Sequence, residues 1–382
     1  MDFNLSEEQQ QLRDGVARFV REQHAFETRR KLLQTEQGFS QDNWQRYADL
    51  GWLSLGLPED VGGLGLSFVD VTILMQELGR GLVQEPIVST TVLGARIIDQ
   101  SGNGSARADL LPQIADGSLK IAFAHAERSN RYSLSHVETT QATIHSEGYR
   151  ISGSKLMAID APSADVLIVS ARMPDNENLG LFLVERNAPG LSLDNYALID
   201  GSRAADLNFD QVQLQKNALL LFGAKALEVM EDAIDRATLA QVAETLGAME
   251  AAMQITAEYI KTRKQFGQPL GKFQSLQHRM AEMFVKSEDV RSMLYRGLAF
   301  LEATPDMRKS AISMAKVVAA EAGRFVGAQG IQLHGGMGIT EECSIGHYFK
   351  RLKVLEKLNG DIEHHSARVA ETTNSKARLG SA

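Results

Sequence analysis

With 382 residues, 43% of them hydrophobic and 23% charged, the chain is long enough for two or three domains with a sizeable core. A formal charge of −8 excludes the basic surface that nonspecific nucleic-acid binding needs, and no apolar run approaches the roughly 18 residues of a membrane span. Cys343 is the only cysteine, so no intrachain disulfide forms, and the first eight residues have no basic n-region or signal core; a cytoplasmic protein is the expectation.

Ser6-Glu7-Glu8-Gln9 reads as a capping box, and Leu12, Val16, Phe19 and Val20 mark one face of the helix it starts. A second helix is expected near Ser40, carrying Trp44, Tyr47 and Leu50. The stretch 57–65 holds too much glycine for regular structure, and its Gly-Gly-x-Gly lacks the strand-turn-helix context of a phosphate loop. Helices over 67–80 and 87–101 complete an all-α segment, 1–118. From Ile121 the period shortens: 139–146 and 149–152 flank a hairpin turn at Glu147-Gly148. Further short runs of Val, Leu and Phe at 165–173, 179–185, 191–196 and 204–214 predict a compact antiparallel barrel or sandwich over 119–215.

Helical periodicity resumes by 217, making 216–382 a helical bundle. Leu239, Val242, Leu246, Met249, Met253 and Ile260 form one stripe with Thr256 in its gap; Leu276, Met280, Met283, Val290 and Leu294 form another with Ser287 in its gap. Gly267, Pro269 and Gly271 break the helix between them, and Arg263, Phe266, Phe273 and Gln274 cluster at the break. After a helix carrying Ile312, Val318 and Phe325 comes a second glycine run at 329–340. A dinucleotide fingerprint would follow a strand, so that reading fails on context. Helix-ending glycines are often C-caps; they also let backbone N–H groups approach a phosphate or adenine, and both readings of Gly335 and Gly336 stand. His334 packs or caps rather than ligating a metal, because no second ligand stands at helical spacing.

The first break, Arg263-Lys264-Gln265-Phe266-Gly267-Gln268-Pro269-Leu270-Gly271-Lys272-Phe273-Gln274, resembles the acyl-CoA dehydrogenase pattern R-x-x-F-G-x-P-L-x-x-F-Q, and the match continues through Gln277, Ala281 and Met283. The second resembles the family's Q-x-x-G-G-x-G, and 57–65 its P-E-x-x-G-G-x-G loop. The resemblance covers the whole chain. It implies an α+β multi-domain fold: an N-terminal α-helical domain over 1–118, a middle antiparallel β-barrel over 119–215, and a C-terminal four-helix bundle over 216–382. It further implies FAD as cofactor and an acyl-CoA thioester as substrate. Arg263, Phe266, Phe273, Gln332, Gly335 and Gly336 then serve FAD held mainly by a neighbouring chain. A guanidinium fork suits pyrophosphate, and an aromatic ring packs on the cofactor.

The same resemblance exposes losses. Counted without gaps from Gly335, the seat of the family's catalytic Glu is Asn359 in Asn359-Gly360-Asp361, and an amide cannot accept the substrate proton. The alternative helical seat, counted back from Arg263, is Ala237. Ala126-Glu127-Arg128-Ser129 and Met157-Ala158-Ile159 replace flavin-facing segments, with Met157 and Ile159 being core-type side chains. The chain is therefore similar to the small subunits of two-subunit acyl-CoA dehydrogenases of the pimeloyl-CoA type. Three stretches carry that likeness: Phe26-Glu27-x-Arg29-Arg30-Lys31, Glu85-Pro86 after Leu78-Gly79-Arg80-Gly81-Leu82-Val83, and Asp361-Ile362-Glu363-His364-His365.

A catalytic second subunit, a heterotetramer, and an electron-transfer flavoprotein as acceptor are its implied partners. Two alternatives remain at this level: an autonomous enzyme with a displaced base, Asp361 first with Glu356, Glu363 and Asp235 near the two seats, and a non-redox acyl-CoA-binding scaffold.

Overall fold

The structure is a computed structural model that describes residues 4–174 and 179–379. In chain order it contains α1 (Glu7–Gln23), α2 (Phe26–Leu32), α3 (Gln41–Asp49), α4 (Phe68–Arg80), a π-type turn (Val88–Gly94), α5 (Ala95–Gln100) and α6 (Gly104–Ala115). Strands follow: β1 (Ile121–Ala124), β2 (Gln141–His145), β3 (Gly148–Ile159), β4 (Val166–Arg172), β5 (Leu179–Glu185), β6 (Leu191–Ala197), β7 (Arg203–Gln215) and β8 (Leu219–Phe222). The last part holds α7 (Ala224–Thr262), β9 (Lys264–Gln265), β10 (Gln268–Pro269), α8 (Gln274–Phe300), α9 (Pro305–His334), α10 (Ser344–Lys357) and α11 (Ile362–Leu379). Among the described residues no helix is long and apolar enough to cross a membrane.

The capping box forms as its residues require: Ser6 Oγ accepts from the Gln9 N–H and Gln9 Oε1 from the Ser6 N–H, both at 3.2 Å. The helical stripes also face inward. Leu239, Val242, Leu246, Met249 and Ile260 are buried, and so is Thr256, whose hydroxyl donates to the Ala252 carbonyl at 2.7 Å and so reaches no unsatisfied state. Two helices, α2 and α6, were not anticipated, and the expected helix over 87–101 begins as the π-type turn.

The expected β domain is present as a mostly antiparallel sheet, and the pairings of the described residues show no closed barrel. The strand order is β6-β7-β3-β2-β4-β5-β8, β1 pairs with β4, and the pairs β1–β4 and β2–β4 are parallel. Among the described residues no pair joins β6 to β8. The hairpin turn also shifts by one residue. Gly148 pairs with His145 rather than turning, because β7 passes so close that a Cβ there would stand 2.0 Å from the Leu214 carbonyl oxygen.

Contacts divide the chain into two units, one of Met1–Arg30, Phe68–Val83 and Thr238–Ala382, the other of Lys31–Ser67 and Gln84–Ala237. This line differs from the three sequence segments because α1 and α4 belong with the C-terminal helices. In the first unit α4 crosses α7 backbone to backbone. A Cβ on Gly247 would lie 1.8 Å from the Gln76 carbonyl oxygen, and one on Gly79 would lie 2.2 Å from that of Glu244. Glu250 of α7 ties the crossing, accepting from Gln76 Nε2 at 2.9 Å and from the guanidinium groups of Arg80 and Arg291.

In the second unit Glu85 is buried against the N-terminus of α3, with Oε1 lacking a hydrogen-bond partner. Burial lifts its carboxyl to about 7, against the N–H groups of residues 85, 40 and 84 and the Asn43 side chain, which pull it down. The folded value lies above the unfolded one, so the protonated form is the stable one. The contribution is complete below the ordinary 4.5 and is lost as pH rises through 7. Glu85→Gln is therefore expected to unfold later than the native chain at pH 8, by about 3 kcal/mol, and alike near pH 4.5. Melting curves across that range check it, and an equal gap at both ends refutes it.

Candidate functional site

The break after α7 is a two-residue hairpin in the first unit. Gln265 pairs with Gln268 and Lys264 with Pro269, leaving Phe266 and Gly267 at the tip with φ of 53° and 80°. Two left-handed residues are what a type I′ hairpin turn demands. Glycine adopts this freely; phenylalanine does so at a cost of about 1–2 kcal/mol. That costly residue is 89% exposed, touching only Phe273 edge-on at 6.1 Å among the aromatic rings described. Arg263 sits at the base, its N–H bonded to the Tyr259 carbonyl and its carbonyl accepting from the Leu270 N–H, and its side chain is exposed.

The second glycine run ends α9. Gly335 adopts φ 63°, ψ −143°, a region open only to glycine, and its N–H caps the Gln332 carbonyl. Gly336 has nothing within 4 Å of where a Cβ would point, so the fold does not require glycine there. Tyr259 brings the two runs together. Its ring stacks on His334 at 4.3 Å and its hydroxyl donates to the His334 carbonyl at 3.3 Å, one turn before Arg263 and one residue before Gly335. His334 packs, as its sequence context suggested: Nδ1 donates to the Gly330 carbonyl at 2.8 Å, and burial holds its pKa below the usual value. Tyr259 was missed from sequence, although it stands four residues before Arg263 on the same helix. Gln332, Gly335, Gly336, Met337 and Ile339 are all exposed beside this stack, so the surface offers a cation, aromatic and aliphatic groups, and glycine backbone without side chains.

The seat at 359 looks different. Asn359 is left-handed at φ 58°, and its Nδ2 donates to Gln241 Oε1 of α7 at 3.2 Å. Its carbonyl accepts from His365 Nε2 at 3.1 Å, and Lys316 Nζ, buried between helices, donates to the Leu358 carbonyl at 2.8 Å. Asp361 is 5% exposed and caps α11, its Oδ1 accepting from the His364 N–H at 3.1 Å and its Oδ2 lying 3.6 Å from Lys357 Nζ. Ala237 lies fully buried within α7. Glu356 is buried too; burial pushes its carboxyl up, but Lys353 and Lys357 outweigh this and hold it below the usual range. Glu363 is exposed, and Asp235 is buried in the second unit.

The remaining segments lie in the second unit. Glu127 is buried and anchors the connection 125–140. Its carboxylate accepts from the N–H groups of Glu138, Thr139 and Thr140 at 2.8, 2.8 and 3.0 Å, and from Lys155 Nζ at 2.8 Å. Met157, expected as a core side chain, is instead 40% exposed and left-handed at φ 48°. The reason is a bulge in the β3–β7 ladder between Lys155 and Ala158, where the Met157 N–H turns to Asp206 Oδ1 at 2.9 Å.

Three family models match the chain: acyl-CoA dehydrogenase N-terminal domain over 6–118, middle domain over 122–212 and C-terminal domain over 226–373. A solved variant of the Tcur3481-Tcur3483 steroid ACAD is 31% identical, with a TM-score of 0.87 over 97% of this chain and 99% of that one. The ChsE4-ChsE5 complex from Mycobacterium tuberculosis is 26% identical, with a TM-score of 0.89 over 98% and 99%. Among curated proteins, mitochondrial isovaleryl-CoA dehydrogenase of Pongo abelii is 28% identical over 92% of this chain and 85% of its own length.

Proposed function

The chain belongs to the acyl-CoA dehydrogenase family of FAD-dependent oxidoreductases, and from that premise we propose that it is a non-basic subunit, lacking the catalytic Glu, of a heteromeric member, completing the FAD site of a catalytic partner. The observation that carries this is the contrast between two surfaces of one unit. The Arg263–Gly336 face presents a cation, an exposed aromatic ring and open backbone. The 359 seat holds an amide already paired with Gln241.

The residues present fit a flavin dinucleotide held largely outside the chain. Gly336 leaves room for close approach, Gly335 takes a conformation no other residue accepts, and Arg263 supplies a fork for pyrophosphate oxygens. FAD, when bound, supplies the hydride acceptor for α,β-desaturation of an acyl-CoA thioester. This chain's part is to bind and orient; the partner brings the carboxylate that takes the Cα proton.

Asp361 as a displaced base is disfavoured by its own contacts, since its carboxylate caps α11 and lies beside Lys357. Both multi-subunit relatives support an unlike pair, here a heterotetramer resembling the pimeloyl-type enzymes. The steroid ACAD supports a bulky ring-bearing acyl group in the breakdown of a lipid or carboxylic acid. A cytoplasmic setting and an electron-transfer flavoprotein as acceptor complete the reading.

FAD per chain, by absorbance, tests it. The chain alone is expected to carry little or no FAD and the unlike pair about one. Arg263→Ala should lower retention in the pair at least tenfold, the worth of about 1.4 kcal/mol. Gly336→Ala should lower it without moving the melting temperature. One FAD per chain from this protein alone refutes the shared site and returns attention to Asp361.

A further inference from the structure

Two stretches that the cofactor face leaves unused, 26–31 and 78–83, meet at one buried arginine. Arg29 is 4% exposed although always charged. Its Nε donates to the Leu82 carbonyl at 3.1 Å, and its guanidinium lies 2.9 Å from His347 Nδ1. A guanidinium has no acceptor, so Nδ1 is the bare nitrogen and the ring proton is on Nε2. That proton is donated to the Glu341 carbonyl at 3.2 Å. Phe26 closes the ring edge-on at 4.8 Å.

His347 lies in the first turn of α10, and its neighbours face two ways. Tyr348 donates its hydroxyl to the Arg80 carbonyl at 2.5 Å. Ile345 fills the space a Gly330 side chain would take, and a Cβ on Gly346 would lie 3.2 Å from the Gly338 carbonyl oxygen. One helical turn thus grips α2 and α4 on one side and the Gly335–Ile339 turn on the other. We propose that Arg29 and His347 are positioning residues for the glycine turn, fixing through α10 and Glu341 the backbone that faces the partner's FAD. The proposal rests on the shared-site reading above.

The charged and titratable groups around His347 are Arg29 and Arg30 of α2, Glu341 before α10, and Tyr348 and Lys350 within it. Burial lowers the ring's pKa; the Glu341 carbonyl opposes and Arg29 adds to the lowering. Protonation at Nδ1 sets N–H against N–H, so the arrangement holds at neutral pH and fails on the acid side.

The experiment is the rate of FAD loss from the co-purified pair between pH 5 and 8, with melting temperature and subunit composition followed alongside. Arg29→Leu is expected to lose FAD about tenfold faster at pH 7.5 while the pair stays assembled, an effect of the size coupling mutations carry. The native pair should accelerate only on the acid side of the ordinary histidine range, because burial holds the ring's pKa below it. His347→Asn keeps an acceptor for Arg29 but cannot take a proton, so its rate should stay level. If Arg29→Leu does not assemble, Arg29→Lys keeps the buried charge, cannot span both partners, and should show the same acceleration. FAD loss at the native rate in the assembled Arg29 variant, or an unchanged pH profile in His347→Asn, overturns the proposal. If Arg263→Ala weakens retention and the Arg29 variants do not, this inference alone falls; if Arg263→Ala retains FAD, the shared-site reading falls.

Discussion

Lys155→Met is expected to cost about 3–5 kcal/mol of stability in the unit that contains the sheet. Lys155 and Glu127 are both buried, with side-chain exposures of 0% and 1%. Burial pushes the Glu127 carboxyl up, but Lys155 and the backbone N–H donors outweigh it and hold it at about 2; burial draws Lys155 down to about 8 against the pull of Glu127. Removing the ammonium leaves a carboxylate in a dry site with only dipoles to hold it. The connection 125–140, bound to that carboxylate, loosens with it. Because the folded pKa of Glu127 is below the unfolded one, its contribution is present above the ordinary 4.5 and lost as pH falls toward 2. The variant should therefore show a shallower acid limb than the native chain. Trp44 and Trp52, the only tryptophans, lie in the same unit, so their fluorescence during urea unfolding reads the effect. A midpoint shift worth less than about 1 kcal/mol would mean the pair is held apart by water.

Gly247→Ala is expected to cost about 3 kcal/mol in the other unit, the upper end of overpacking effects. The clash is with backbone, the Gln76 carbonyl, so no rotamer change relieves it; α4 must move off α7. That movement strains the bonds from Gln76 and Arg80 to Glu250. The loss should appear in helical circular dichroism and much less in tryptophan fluorescence. Gly336→Ala is the matched control, because nothing stands within 4 Å of its missing Cβ. Equal melting temperatures for the two variants would show that the crossing opens at little cost.

Much of the fold was legible because its signals are local. The α, β, α order, the capping box and the two helical stripes follow from periods of 3.6 and 2 and from hydrogen bonds three residues apart. Even the two polar residues in the stripes, Thr256 and Ser287, are buried where the period places them. The family resemblance rested on turn residues whose spacing is short and rigid. What local signals left undecided was of another kind. Sheet closure depends on whether β6 and β8 meet, and no property of either strand states it. Met157 looked like a core residue because the bulge that expels it is made with β7, some fifty positions away.

The candidate site divides in the same way. Sequence alone determined which groups are available: Arg263, Phe266, Gln332, Gly335, Gly336 and Asn359. Only the tertiary structure decided what they do to one another. The Tyr259–His334 stack joins two turns, Asp361 is committed as a helix cap, Asn359 is paired to Gln241, and Arg29 reaches His347. The Tyr259, Asn359 and Arg29 contacts unite elements that folding, not spacing, brings together, whereas the Asp361 cap is local, to the His364 N–H three residues on. Side-chain chemistry is written residue by residue, whereas its partners are selected by the packing of helices far apart in the chain.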